Sequence, residues 1–90
     1  YTIHQNYPNP FNPSTTLRYT LPEQSDVKIA VYDMIGRKVR TLVNGSQDVG
    51  YKSVIWDATN DYGERVGAGI YLYQIQAGAF VQTRKMVLLK

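Results

Sequence analysis

Asp57, Asn60, Asp61 and Glu64 bring four side-chain carboxylate or amide groups into one short stretch. Calcium takes hard oxygen ligands from such clusters, so Asp57, Asn60 and Asp61 are the candidate metal ligands of the chain. Their spacing departs from an EF-hand loop, which places ligands at alternate positions and a glutamate at the twelfth. The competing reading is a turn closed by side-chain-to-backbone hydrogen bonds, with Gly63 at positive φ. Nucleophilic and acid–base chemistry is thinly supplied. His4 is the single histidine and there is no cysteine, which removes thiolate nucleophiles and cysteine zinc sites. A general base needs partners within hydrogen-bond reach, and His4 stands in a proline-rich stretch. Ser14, Ser25, Ser46 and Ser53 fall in turns or strand surfaces, outside a nucleophile-elbow context. The expectation is a non-catalytic domain without a cofactor or small-molecule substrate.

Aromatic stacking on sugars is the remaining chemistry. Tyr32, Tyr51, Tyr62, Tyr71 and Tyr73 are five of eight tyrosines. Alternation puts Tyr71, Tyr73 and Ile75 on one face of a strand, which reads more simply as a core face. A carbohydrate-binding or adhesive β-sandwich appended to a secreted enzyme is the alternative function. It requires an exposed line of tyrosines.

Charge excludes another class. Ten Lys and Arg against seven Asp and Glu leave +3, without the basic clustering or basic–aromatic signature of nucleic-acid binders. Lys28, Arg37, Lys38, Arg40 and Lys52 read as a solvated β face.

The elements that position these residues are all strands. Val, Ile, Thr and Tyr are common while Ala, Leu and Glu are scarce, which favours β structure. Residues 1–13 hold three of the four prolines, which remove backbone donors and bias their predecessors to extended conformations. This segment is expected to be an ordered extended entry anchored by Tyr7 and Phe11, leading into a sandwich over residues 14–90. Residues 14–21 alternate, with Leu17, Tyr19 and Leu21 on one face. Pro22 ends that strand and residues 23–26 form a polar turn. Residues 27–34 alternate with Val27, Ile29 and Val31 inward, and residues 37–43 return as a hairpin partner, where Leu42 falls out of phase. Asn44-Gly45-Ser46 reads as a turn. It also fits the N-glycosylation pattern, but the turn is the preferred reading. Residues 51–57 are a strand with Val54 and Trp56 inward, and Trp56, the only tryptophan, marks the centre of the core. A closing hairpin follows, with one strand over residues 70–76, a turn at Ala77-Gly78-Ala79, and a second strand from Phe80 to the end. Its last apolar run, Met86-Val87-Leu88-Leu89, is costly to leave in water at roughly 1.5–3 kcal/mol per large side chain. The expected core therefore contains Tyr19, Ile29, Val31, Trp56, Tyr71 and Tyr73, with Gly36, Gly63, Gly67, Gly69 and Gly78 serving as turn residues. The fold class is all-β, an immunoglobulin/fibronectin-like sandwich of about seven antiparallel strands. A chain that opens on Tyr1 is expected to be a processed product or a piece of a longer protein.

The run Asn6-Tyr7-Pro8-Asn9-Pro10-Phe11-Asn12-Pro13-Ser14-Thr15-Thr16 resembles the opening of the type A C-terminal sorting domain of the bacterial type IX secretion system. The blocks that follow keep that family's order: Val31-Tyr32-Asp33-x-x-Gly36-Arg37-x-Val39; Trp56-Asp57 and Asp61-x-Gly63; Gly67-x-Gly69-Ile70-Tyr71-x-Tyr73; and Lys85-Met86-Val87-Leu88-Leu89-Lys90. The middle blocks are also similar to the immunoglobulin-like domain of the flagellar hook-capping protein. Ala68 departs from the serine that close relatives often carry. The resemblance implies a non-catalytic domain in Bacteroidetes and relatives that directs an N-terminal cargo across the outer membrane. It implies passage through the periplasm, delivery to the cell surface or medium, and partners in the outer-membrane translocon and a sortase-like surface peptidase. The recognition residues expected under this reading are Arg84, Lys85 and Lys90, on an exposed edge of the last hairpin.

Overall fold

The structure, a computed structural model, describes residues 1–89. Seven strands follow one another: β1 (Thr2–Ile3), β2 (Thr15–Leu21), β3 (Ser25–Tyr32), β4 (Lys38–Gln47), β5 (Gly50–Trp56), β6 (Gly69–Ala77) and β7 (Phe80–Leu88). They form two antiparallel sheets, ordered β1-β2-β5 and β4-β3-β6-β7. The architecture is the immunoglobulin-like sandwich that alternation foretells, and it follows from period-2 burial on each strand. In β2, Thr15, Leu17, Tyr19 and Leu21 are buried. In β6, Tyr71, Tyr73, Ile75 and Ala77 are buried. Ile29, Val31 and Trp56 complete the centre. Phe11 and Tyr71 flank Trp56, with ring centroids 5.8 and 5.3 Å away and the rings tilted or edge-on, a favoured aromatic arrangement.

Several boundaries differ from the sequence expectation. Asn44-Gly45-Ser46 is not a turn. It continues β4, where Asn44, Gly45 and Ser46 pair with Lys28, Val27 and Asp26. The ladder with β3 overrides the local Asn-Gly preference, as tertiary context commonly does. The reversal falls at Asp48-Val49, where Gly50 adopts φ +136°. Ser25 and Asp26 likewise belong to a strand. The misfit at Leu42 has a cause. Ile29 pairs with Val43 and Ala30 with Thr41, so Leu42 is the extra residue of a β-bulge. A second irregularity leaves Val39 unopposed, and both side chains pack against the core.

Of the expected turn glycines, Gly36, Gly63, Gly69 and Gly78 have positive φ. Gly36 at +87° closes the β3–β4 turn, its N–H donating to the Asp33 carbonyl at 3.0 Å. Gly67 is a correction. Its φ lies outside the left-handed region, and a Cβ there would meet open space. Its carbonyl is what the fold uses, accepting the Tyr71 hydroxyl at 2.6 Å.

The entry segment is part of the sandwich and not a lead into it. Thr2 and Ile3 pair with Thr20 and Tyr19, Tyr7 bridges Thr16, and Ile3 and Phe11 are fully buried. Tyr7 does not anchor the segment through its ring, which is 70% exposed. It shares the outer face with Thr16, because residues opposed in a ladder point the same way.

Candidate functional site

Residues 4–15 reach the closing hairpin through backbone groups that a sandwich would otherwise leave unpaired. The Tyr73 hydroxyl is central. It accepts the Asn6 N–H at 2.9 Å and donates to the His4 carbonyl at 2.9 Å. Burial pushes the Tyr73 phenol above its ordinary pKa. Asn6 is itself buried. Its amide nitrogen donates to the Thr15 hydroxyl at 2.9 Å and to the Pro8 carbonyl at 3.2 Å. The segment then runs along β7. The Phe11 N–H donates to the Val87 carbonyl at 3.0 Å, and the Leu89 N–H donates to the Phe11 carbonyl at 2.8 Å. The Val87 N–H donates to Asn9 Oδ1 at 3.0 Å, and Gln5 Nε2 donates to the Lys85 carbonyl at 2.9 Å. The edge of the last strand, expected to be open, is therefore closed from Lys85 to Leu89. A cavity of about 320 Å³ lies beside this junction, bordered by Asn12, Arg65, Leu88 and Leu89 among others.

The three expected recognition residues separate. Arg84 is half-buried, and its Nε donates to the Ile3 carbonyl at 2.9 Å. It clasps one sheet to the other and is not held out as a displayed charge. Lys85 is exposed on the outer face of the four-stranded sheet, opposite Leu72. Lys90 lies outside the described residues. Lys28 and Lys38 share the outer-face parity of Lys85 through the rows Lys28–Gln76–Val81 and Lys38–Tyr32–Leu72–Lys85. The rest of the basic set is engaged or elsewhere. Arg37 pairs with Asp33 at 3.0 Å, Lys38 approaches Asp61 at 3.9 Å, and Arg40 lies 4.0 Å from Asp57. Lys52 belongs to the other sheet.

The oxygen-rich loop is a closed turn. Asn60 Oδ1 accepts the N–H groups of Tyr62 and Glu64, at 2.9 and 3.0 Å. Asp61 Oδ1 accepts the Thr41 N–H at 2.9 Å, and the Asp61 N–H donates to the Val39 carbonyl at 3.0 Å. Asp57 accepts the Thr59 hydroxyl. That bond, with the Arg40 guanidinium nearby, holds the Asp57 carboxyl below its usual range. The candidate ligands Asp57, Asn60 and Asp61 thus point at backbone groups, the Thr59 hydroxyl and cations and not at a common centre. Among the described residues no three acidic, histidine or cysteine side chains converge on a metal position.

The remaining candidates disperse. His4 is exposed and contributes only its backbone to the framework. Tyr71 and Tyr73 are core residues. Tyr32 and Tyr51 sit in different sheets, and Tyr62 in the loop, so the five tyrosines make no common stacking platform. The buried links through Asn6, Tyr73 and Arg84 escape sequence reasoning, because each joins positions more than sixty residues apart. The signal available for them was the buried parity of Tyr73 and Arg84 on paired strands.

A family model of the FlgD Ig-like domain matches residues 12–79. The chain belongs to the FlgD Ig-like domain family. Among solved structures, FlgD of P. aeruginosa is similar at 27% identity with a TM-score of 0.64, over 82% of this chain and 58% of that one. PorZ of Porphyromonas gingivalis, an essential bacterial surface component of its type IX secretion system, is similar in fold. It shares 18% identity with a TM-score of 0.66, over 96% of this chain and 11% of that one. The Ig-like domain thus spans somewhat over half of FlgD and about a tenth of PorZ. No curated protein matches the sequence.

Proposed function

We propose that this Ig-like domain is the sorting module of a larger exported protein, read as a folded unit by the type IX secretion apparatus. It carries an N-terminal cargo from the periplasm through the outer-membrane translocon to the cell surface or medium, where a sortase-like peptidase is the second partner. It does no chemistry of its own and takes no cofactor. The observation that carries the reading is the junction of the first and last blocks of the sorting-domain resemblance. Asn9 and Phe11 of the Asn-Tyr-Pro-Asn-Pro-Phe-Asn-Pro run are hydrogen-bonded to Val87 and Leu89 of the last strand. Residues 76 to 78 positions apart in the chain therefore form one surface feature, which exists only in the folded state. The fold shared with PorZ and the sequence resemblance support the same system. Lys85 is an exposed charge at this junction, and Lys90, outside the described residues, is the other expected recognition residue. Arg84 acts in the framework.

The test fuses residues 1–90 to a periplasmic reporter in a bacterium that has a type IX system. The fusion is expected on the cell surface or in the medium, and in the periplasm when the translocon is deleted. Periplasmic retention in both strains, with the domain folded, overturns the proposal.

A further inference from the structure

Among the described residues the edges of β4 and β7 are each covered over part of their length, and β5 is the long edge strand with no covering bond. Unpaired strand edges are templates for association, and proteins cover them. The β7 edge is covered by Gln5, Asn9 and Phe11. The β4 edge is covered at Val39 and Thr41 by Asp61. β1 is two residues long. β5 runs from Gly50 to Trp56 and pairs only with β2 among the described residues.

The direction of its backbone groups follows from the ladder. The Arg18 carbonyl and both backbone groups of Thr16 bond to the β1 side. Alternation then turns Leu17 and Tyr19 toward β5, where they face Val54 and Lys52. The N–H and C=O groups of Tyr51, Ser53 and Ile55 therefore point away from the sheet, and none bonds to another of the described residues. Their side chains are exposed, Tyr51 by 91% and Ile55 by 64%.

We propose that β5 is a homotypic docking edge, on which two copies of the chain pair antiparallel about a two-fold axis at Ser53. In that register Tyr51 faces Ile55 of the second copy, Ser53 faces Ser53, and Ile55 faces Tyr51. All three pairs join outward-pointing residues, so every free donor and acceptor of the edge finds a partner. The cross-strand contacts are an aromatic with a β-branched residue and a hydroxyl with a hydroxyl, both favourable. Such an interface is isologous, as two-fold pairs require. Lys52 disfavours one neighbouring register. It faces Val54 here, whereas a shift by two residues sets the two Lys52 side chains directly opposite, which like charges disfavour. The occupant is a second copy because the pattern 51–55 is complementary to itself. The inference stands apart from the sorting reading. It gives the domain a way to link two copies of the protein that carries it.

The interface is one strand wide, which places it with weak and transient contacts, in roughly the micromolar to millimolar range. Sedimentation equilibrium of the 90-residue chain should show a mass rising from 10.2 kDa toward twice that value as concentration approaches about 1 mM. Ser53→Pro removes an outward N–H that bonds to none of the described residues, a change that edge strands tolerate. It should stay folded and stay monomeric. Ser53→Lys, which places like charges across the axis, should do the same, while Ser53→Thr should retain association. A chain that holds 10.2 kDa throughout, or association that survives in folded Ser53→Pro and Ser53→Lys, overturns the proposal.

Discussion

Replacing Tyr73 with Phe removes one oxygen and isolates the bond that fixes the entry segment. The ring is fully buried, so its packing is kept. What is lost is an acceptor for the Asn6 N–H and a donor to the His4 carbonyl. A buried polar group left without a partner costs about 1–3 kcal/mol. Two groups set an upper bound near 6, and the segment runs along the sheet edge, where water can reach part of it. An overall loss of about 2–3 kcal/mol is expected. In a domain of this size each kcal/mol lowers Tm by roughly 4–8 °C, so Tm should fall by about 8–24 °C. Thermal unfolding followed by far-UV circular dichroism measures this. Amide exchange places it, with protection lost at Asn6 and Tyr7 first, since local opening precedes global unfolding where contacts are fewest. The comparison variant is His4→Ala. It removes an exposed side chain but keeps the carbonyl, and should change stability by less than about 0.5 kcal/mol. A Tyr73→Phe protein within about 0.5 kcal/mol of the wild type, or one whose Asn6 and Tyr7 amides exchange no faster, refutes the account of how residues 1–13 are held.

Three further outcomes follow from the same geometry. Gly36→Ala forces a side chain to φ +87° and should cost about 1 kcal/mol in denaturant unfolding, whereas Gly67→Ala meets open space at an ordinary φ and should be neutral or slightly stabilising. The lowered Asp57 pKa makes its contribution to stability complete above the unfolded carboxylate value of about 4, and lost as pH falls through the folded one. Asp57→Asn keeps the acceptor for Thr59 but removes the charge, and should flatten that part of an acid stability profile. Burial raises the phenol pKa of Tyr19, Tyr71 and Tyr73, so their contribution is complete below about pH 10 and lost as pH climbs through the folded values.

Alternation made the sandwich legible, because one buried face forces period 2 on every strand. Leu17-x-Tyr19-x-Leu21 and Tyr71-x-Tyr73-x-Ile75 announce their inward faces without any structure. Trp56 was placeable as the only side chain large enough to centre so small a core. Features with no period were not legible. A β-bulge inserts one residue, and Leu42 showed it only as a break in phase. Asn44-Gly45 carried a strong local turn signal, which the longer β3–β4 ladder overruled. Proline spacing marked residues 1–13 as extended, but not that Ile3 would pair with β2 or that Phe11 would seal β7. Arg84 read as a surface charge because a charged side chain in a strand usually is one. Its long stem lets the guanidinium leave the inner face and meet the Ile3 carbonyl. The open edge at β5 was hidden for the same reason, since which strand stays uncovered depends on how the entry segment and the 57–64 loop are laid down.

Recognition of the folded junction is tested most directly by changing its exposed charge without disturbing the fold. Surface delivery of the reporter fusion should be compared between the wild type and Lys85→Ala with Lys90→Ala, after thermal unfolding has shown equal stability within about 0.5 kcal/mol. Delivery that falls at least several-fold, with reporter accumulating in the periplasm, is the result the account predicts. Delivery at the wild-type level from the equally stable variant contradicts it.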